Sequence, residues 1–170
     1  MNTTRTAAAL ALAGLATSST ARLIIEDFDG ADFNPELNFD FSSDFTDFDT
    51  SDHMDGVLWL YSDLADITVT TLGPGEWIES VEVTWTDFCG LGCTNLELLG
   101  DNNSFNIGNA DVQGSETVFA SMADLGEPIT NFTISSFEGR IERIVVDVVP
   151  APSALGFLSL AGLAVARRRR

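Results

Sequence analysis

The sequence contains no lysine, and its eight basic residues are all arginines, against 26 aspartates and glutamates. Five of these arginines lie in the terminal segments 1–21 and 150–170. The body of the chain, residues 22–149, therefore contains only Arg22, Arg140 and Arg143 as basic residues. All the acidic residues lie in that body, whose net charge is therefore about −23. Nucleic acid is excluded as a partner, because phosphate binding needs cations. Anionic lipids and anionic glycans are disfavoured unless divalent ions bridge them.

The 22–149 body also lacks helical periodicity and internal repeats, apart from one helical turn predicted at Met122–Leu125. Short segments of alternating or continuous apolar residues are separated by Gly, Asn and Asp clusters. These segments are Leu23–Ile25, Val57–Tyr61, Ile67–Thr71, Val81–Thr86, Leu96–Leu98, Phe105–Ile107, Val118–Phe119, Phe132–Ile134 and Ile144–Val148. The pattern predicts one all-β domain, a β-sandwich of jelly-roll type. The acidic, phenylalanine-rich segment 26–56 fits short strands or a long loop.

The N-terminal 21 residues have the layout of a secretory signal peptide. Arg5 supplies a positive start, and residues 6–16 form an apolar stretch dominated by alanine and leucine. Ser19-Thr20-Ala21 offers the small residues that a signal peptidase needs. We therefore predict an N-terminal signal helix that is removed at export, so that the mature chain begins near Arg22.

The C-terminal 21 residues carry three features in a fixed order. Pro150-Ala151-Pro152-Ser153 interrupts any helix, residues 154–166 are apolar and uncharged, and Arg167, Arg168, Arg169 and Arg170 end the chain. Thirteen helical residues span about 20 Å, which is short of a bilayer core. The arginine block nevertheless favours a transmembrane helix at 154–166, because such a block stays on the cytoplasmic side and its stems snorkel.

This arrangement resembles the PEP-CTERM sorting signal, in the Val-Pro-Ala-Pro-Ser variant with Ala151 in place of the usual glutamate. The resemblance covers residues 150–170 and implies a location. The expected partners are a signal peptidase and an exosortase-like processing enzyme. The expected course is export, transient anchoring by the C-terminal helix, processing near Pro-x-Pro and release to the cell surface, envelope or extracellular matrix. It implies no common biochemical activity.

Histidine and cysteine are scarce, with one and two residues respectively. Cys89 and Cys93 lie in Cys-Gly-Leu-Gly-Cys, and in an exported chain this spacing predicts a disulfide at a hairpin tip. Zinc would need more ligands than His53 and this pair provide. Ser51, His53 and Asp55 are too close in sequence to converge as a catalytic triad, so His53 is predicted to be a solvated loop residue.

The charge of the body has two explanations, which the sequence leaves open: adaptation to saline water, or binding of a divalent cation. Calcium is bound by carboxylate and carbonyl oxygens. The candidate calcium site is Asp47, Asp49, Asp52 and Asp55, and a second acidic group is Asp27, Asp29 and Asp32. Neither group has the spacing of an EF-hand.

These observations predict an exported surface or matrix protein with a structural, adhesive or polysaccharide-binding role and no evident enzymatic activity. Among the tryptophans, Trp85 is predicted to be core, and Trp77, beside the Gly73–Gly75 turn, is the candidate for stacking on a sugar ring. The first alternative is a secreted carbohydrate-active hydrolase with a carboxylate site. With 26 acidic residues, chance alone supplies carboxylate pairs, so no pair can be selected. The second alternative is a protein that keeps its C-terminal anchor.

Overall fold

A computed structural model describes residues 21–29, 32–41, 56–88, 93–108 and 114–150, with only the backbone of residues 61–63. Within these ranges the chain forms eight antiparallel strands and one helical turn. The strands are β1 Arg22–Glu26, β2 Leu37–Phe41, β3 Leu58–Val69, β4 Glu76–Asp87, β5 Thr94–Leu99, β6 Ser104–Gly108, β7 Gly114–Ser121 and β8 Asn131–Pro150. The helical turn, α1, is Met122–Leu125, between β7 and β8. The predicted all-β class is confirmed.

Strand β8 organises the sheet because it runs through both halves of the fold. Its first half lies between β3 and β5, whereas its second half lies between β1 and β4. Strands β2, β6 and β7 then pair with β3, β5 and β4. The result is a five-stranded layer, β2-β3-β8-β5-β6, and a four-stranded layer, β1-β8-β4-β7, which share β8.

The two halves of β8 meet at a bend. Its inward side chains are two residues apart within each half, but three apart between Ser136 and Gly139 and between Ile141 and Ile144. At the second of these places Glu142 is the extra residue of a β-bulge against β4. Bulges bend a strand and increase its twist, which allows one strand to pass from one layer to the other.

A single apolar core lies between the layers. It contains fully buried residues of the five-stranded layer, such as Leu60 and Phe132, together with Val83 and Val146 of the four-stranded layer. Because one cluster holds inward side chains of both layers, the layers face each other as a β-sandwich. Trp85 has no exposed surface, so its prediction as a core residue is confirmed. The jelly-roll connectivity stays a prediction.

The phenylalanine-rich segment contributes to this core where it is described. Phe33, Phe39 and Phe41 pack against the core as stacked or tilted rings, and Phe28 is buried against the first two edge-on. Phe28 has a φ of 59°, an uncommon left-handed conformation for a large side chain. The buried Glu26 carboxylate holds it there by accepting its N–H at 2.8 Å. Residues 42–55 lie outside the described ranges.

Two local features predicted from the sequence, the turn at Gly73–Gly75 and the helical turn at Met122–Leu125, are present in the structure. The Gly73–Glu76 turn is closed by a bond of 3.0 Å from the Glu76 N–H to the Gly73 carbonyl. Pro74 lies at its second position and Gly75, with a φ of 80°, at its third, which is the arrangement of a type II turn. The helical turn predicted at Met122–Leu125 is also present.

The first described strand is held at its start by Arg22. Its guanidinium forms an ion pair with Glu36, lies 3.7 Å from Glu76 and donates to the Thr71 carbonyl at 3.1 Å. These contacts connect β1 to the loop before β2 and to the connection between β3 and β4. One of the three arginines of the body therefore has a structural role.

Gly139, at the bend of β8, is closely surrounded by side chains and leaves no room for a larger residue. A methyl group there would overlap the Ser136 hydroxyl and come within 2.8 Å of Thr94 Oγ1. These two buried hydroxyls are bonded to each other at 2.9 Å. We expect Gly139→Ala to lower the free energy of unfolding by about 1–3 kcal/mol, the usual cost of overpacking, as measured by denaturant titration.

The matched control is Gly73→Ala, because its added methyl would meet only the flexible Glu76 side chain, at 3.4 Å. We expect its unfolding midpoint to stay close to that of the natural protein. Equal midpoints for the two variants would contradict the tight packing at the bend.

Candidate functional site

Several predicted site residues lie outside the described ranges. They are Asp47, Asp49, Asp52 and Asp55 of the calcium candidate, Ser51 and His53, Cys89, and the sorting-signal residues Ala151, Pro152, Ser153 and Arg167 to Arg170. Both predicted terminal helices are outside as well. Cys93 is described, and its carbonyl accepts the Phe137 N–H at 3.1 Å. The Cys89–Cys93 disulfide therefore stays a prediction.

The second acidic group is within the described part of the chain. Asp27, Asp29 and Asp32 are all exposed. Across the ranges that the structure describes, no three His, Cys, Asp or Glu side chains come together in a way that could hold a metal ion. Calcium binding stays a prediction, which depends on the 47–55 group.

Trp77 is less accessible than its place beside a turn suggests. It is half-buried on β4, opposite Val149 of β8, and its indole N–H is buried without a hydrogen-bond partner in the described structure. Trp85 by contrast donates its indole N–H to Glu116 at 3.0 Å. Trp77 thus offers a sugar ring only part of its surface.

A different aromatic cluster lies on the outer surface at the bend, where β3, β8 and β4 run side by side. The register places Trp59 of β3 opposite Arg140 of β8, and Arg140 opposite Thr86 of β4. Phe88 follows β4 and stacks on Trp59, with ring centroids 5.5 Å apart and an interplanar angle of 18°. We call Trp59, Thr86, Phe88, Arg140 and Glu142 the aromatic–arginine corner.

The polar side of this corner is a small hydrogen-bond network. Arg140 and Thr86 both donate to Oε1 of Glu142, each at 2.7 Å. The Arg140 guanidinium also lies 6.0 Å from the centre of the Trp59 ring, within cation–π range. Arg140 Nε is buried and has no hydrogen-bond partner in the described structure. The hydrogen bond to the Glu142 carboxylate and the contact with the Trp59 ring together hold the Arg140 side chain in place.

The electrostatics of Glu142 follow from these contacts. The hydrogen bond from Thr86 is the largest cause of a lowered pKa, and the hydrogen bond and charge of Arg140 add to it, while burial opposes the shift. Glu142 is thus an anion at neutral pH, and it balances the charge of Arg140. The corner combines apolar rings with fixed donors and acceptors while carrying little net charge, which suits an uncharged amphipathic ligand.

Sequence reasoning missed this cluster. Trp59 lies in an apolar strand segment that reads as core, Phe88 lies beside a cysteine, and Arg140 is distant from both in sequence. The available signal was the rarity of cations in the body, since Arg140 is one of only three. Two of these three arginines, Arg22 and Arg140, form ion pairs with glutamates.

No family model matches the sequence, and no curated protein is significantly similar to it. Among the described residues, no helix is both long and apolar enough to span a bilayer. A solved family 29 carbohydrate binding module is similar at 9% identity and a TM-score of 0.47, with 76% of this chain and 90% of that chain covered.

A mutant of a family 29 module complexed with cellulohexaose has the same identity and TM-score, with 75% and 92% covered. The family 32 module of NanJ from C. perfringens, in complex with galactose, is 10% identical with a TM-score of 0.40, covering 74% and 99%. At TM-scores below 0.5 these likenesses carry no argument about the fold or the function of this chain.

Proposed function

We propose that this protein is an exported surface or matrix protein that binds polysaccharide through the aromatic–arginine corner, without enzymatic activity. The stacked pair of Trp59 and Phe88 beside the Arg140–Glu142 pair is the observation that carries the proposal. Sugar rings present apolar C–H faces and polar rims. A site for them therefore needs aromatic surface next to fixed hydrogen-bonding groups.

The proposal includes processing at both ends. A signal peptidase would remove residues 1–21, and an exosortase-like enzyme would act near Pro150–Ser153 after transient anchoring by the helix at 154–166. Removal of residues 1–21 and cleavage after Pro150 would leave the eight described strands intact. The protein would then reside in the cell envelope, at the cell surface or in the extracellular matrix.

The chemistry of Glu142 favours binding over hydrolysis. A glycosidase general acid needs a raised pKa, so that it holds a proton at neutral pH. The contacts of Glu142 with Thr86 and Arg140 lower its pKa instead. The carboxylate at the corner is therefore suited to hold Arg140 and not to protonate a leaving group. The hydrolase alternative would be supported by release of reducing ends from a polysaccharide.

Removing the aromatic rings tests the proposed site. We expect Trp59→Ala and Phe88→Ala each to weaken binding to a soluble polysaccharide by roughly tenfold, since each loses about 1.4 kcal/mol of stacking and burial. Affinity electrophoresis against a panel of neutral and acidic polysaccharides, followed by calorimetry on the ligand found, measures the effect.

Phe119→Ala is the matched control, because Phe119 is an exposed phenylalanine on β7 in the four-stranded layer. We expect it to bind as the natural protein does. Equal losses in all three variants, or no loss at Trp59 and Phe88, would refute the assignment of the corner.

The pH dependence of the corner follows from Glu142. Because its pKa in the folded protein is below its ordinary value of 4.5, its stabilising effect is complete above that value and is lost as the pH falls through the folded pKa. We therefore expect Glu142→Gln to lower the free energy of unfolding at pH 6–8 and to have a diminishing effect below about pH 4.5. Denaturant titrations of both proteins across pH 3–8 give this difference. A difference independent of pH would show that the ionised carboxylate is not what stabilises the corner.

A further inference from the structure

Strand β7 lies at one end of the four-stranded layer, and among the described residues it pairs only with β4. Its eight residues pair with Ser80–Asp87 without a bulge. In an antiparallel ladder, every second residue directs its N–H and C=O away from the paired strand. Within the part of the chain that the structure describes, no backbone hydrogen bond joins these groups of β7 to another element. The strand therefore presents a free edge with regularly spaced donors and acceptors.

This edge has few of the features by which proteins usually protect an edge strand, which are short length, charge, proline and bulges. The other three strands at the ends of layers, β1, β2 and β6, have five residues each, whereas β7 has eight. Its sequence, Gly-Ser-Glu-Thr-Val-Phe-Ala-Ser, contains no proline and one charged residue, Glu116. The Glu116 carboxylate accepts the Trp85 indole N–H at 3.0 Å, so it is engaged with β4. Strand β7 thus combines length with low charge.

The side chains of β7 favour a second copy of the same strand as the partner. A two-fold antiparallel register centred on Val118 places Val118 opposite its counterpart, Phe119 opposite Thr117 and Glu116 opposite Ala120. Pairs of an aromatic with a β-branched residue stabilise a sheet, and no carboxylate faces a carboxylate in this register. Phe119 is 57% exposed in a single copy, and the pairing would cover part of its ring.

An edge-to-edge contact also suits the charge of the body. Two copies that each carry about −23 repel each other. Contact along one strand of low charge brings few carboxylates close together, whereas stacking of the faces would bring many. Salt screens the remaining repulsion, which acts over distances longer than about 10 Å. Association through this edge should therefore strengthen as sodium chloride is added.

We propose that β7 is a self-association site, at which two copies of the protein pair their β7 strands antiparallel. The pairing joins two four-stranded layers into one eight-stranded sheet and supplies backbone hydrogen bonds to both edges. It is closed at the dimer, because each copy uses the same edge. The proposal does not depend on polysaccharide binding and uses no residue of the aromatic–arginine corner.

The test measures self-association of the full chain by analytical ultracentrifugation at low and high sodium chloride. Thr117 is the residue to change, because it is exposed and its two copies are diagonal neighbours in the proposed register, about 7–8 Å apart. We expect Thr117→Glu and Thr117→Lys each to weaken dimerisation roughly tenfold, since each brings like charges together. An equimolar mixture of the two variants should dimerise at least as strongly as the natural protein.

The matched controls are Asn106→Glu and Asn106→Lys, which make the same charge changes. Asn106 is exposed on β6, the strand at one end of the other layer. We expect both control variants to dimerise as the natural protein does. Recovery in the Thr117 mixture would also show that the single variants are folded, because an unfolded strand could not pair.

Several outcomes would overturn the proposal. One is a natural protein that stays monomeric at high concentration and high salt, and another is dimerisation that none of the four variants changes, since the contact would then lie outside β7. Loss at Asn106 with none at Thr117 would assign the contact to β6. Association that weakens as salt rises would show that ion pairs hold the copies together, which a low-charge edge does not provide.

Discussion

The pairing of β8 with four other strands is the constraint on which the rest of the structure depends. Strands β1, β3, β4 and β5 all pair with it directly, and the three remaining strands reach it through one neighbour. The bend near Gly139 and Glu142 lets these pairings belong to two layers that face each other. The same bend brings Trp59 of β3 and Thr86 of β4 to opposite sides of Arg140. Fold and candidate site therefore share one structural cause.

Charge is the second constraint, because the body has a net charge of about −23 and contains only three cationic side chains. Arg22 fixes the start of β1 against Glu36 and Glu76, while Arg140 is held by Glu142 at the corner. Both are thus committed to contacts within the protein. The surface that remains repels anions, which is consistent with an uncharged glycan as the ligand of the aromatic–arginine corner.

Part of the fold was predictable from local patterns because those patterns have local causes. Val81–Thr86 alternates apolar and polar residues and lies within β4, and the Gly-Pro-Gly sequence forms a type II turn because Gly75 accepts a positive φ. The helical turn at Met122–Leu125 and the burial of Trp85 followed from the same kind of reasoning. The pairing of β8 with four strands was not predictable, because it joins segments that are distant in sequence.

By itself the sequence determined the all-β class, the strong negative charge and the two terminal segments that suggest export. These features follow from composition and from the alternation of apolar and polar residues, both of which can be read from consecutive residues. Only the tertiary structure decided which side chains share a surface. Trp77 had the more promising neighbours in sequence, yet its indole N–H is buried without a partner among the described residues, whereas Trp59, which is also half-buried, stacks on Phe88. Strand register brings residues like these together, and register depends on long-range packing, which no short stretch of sequence records.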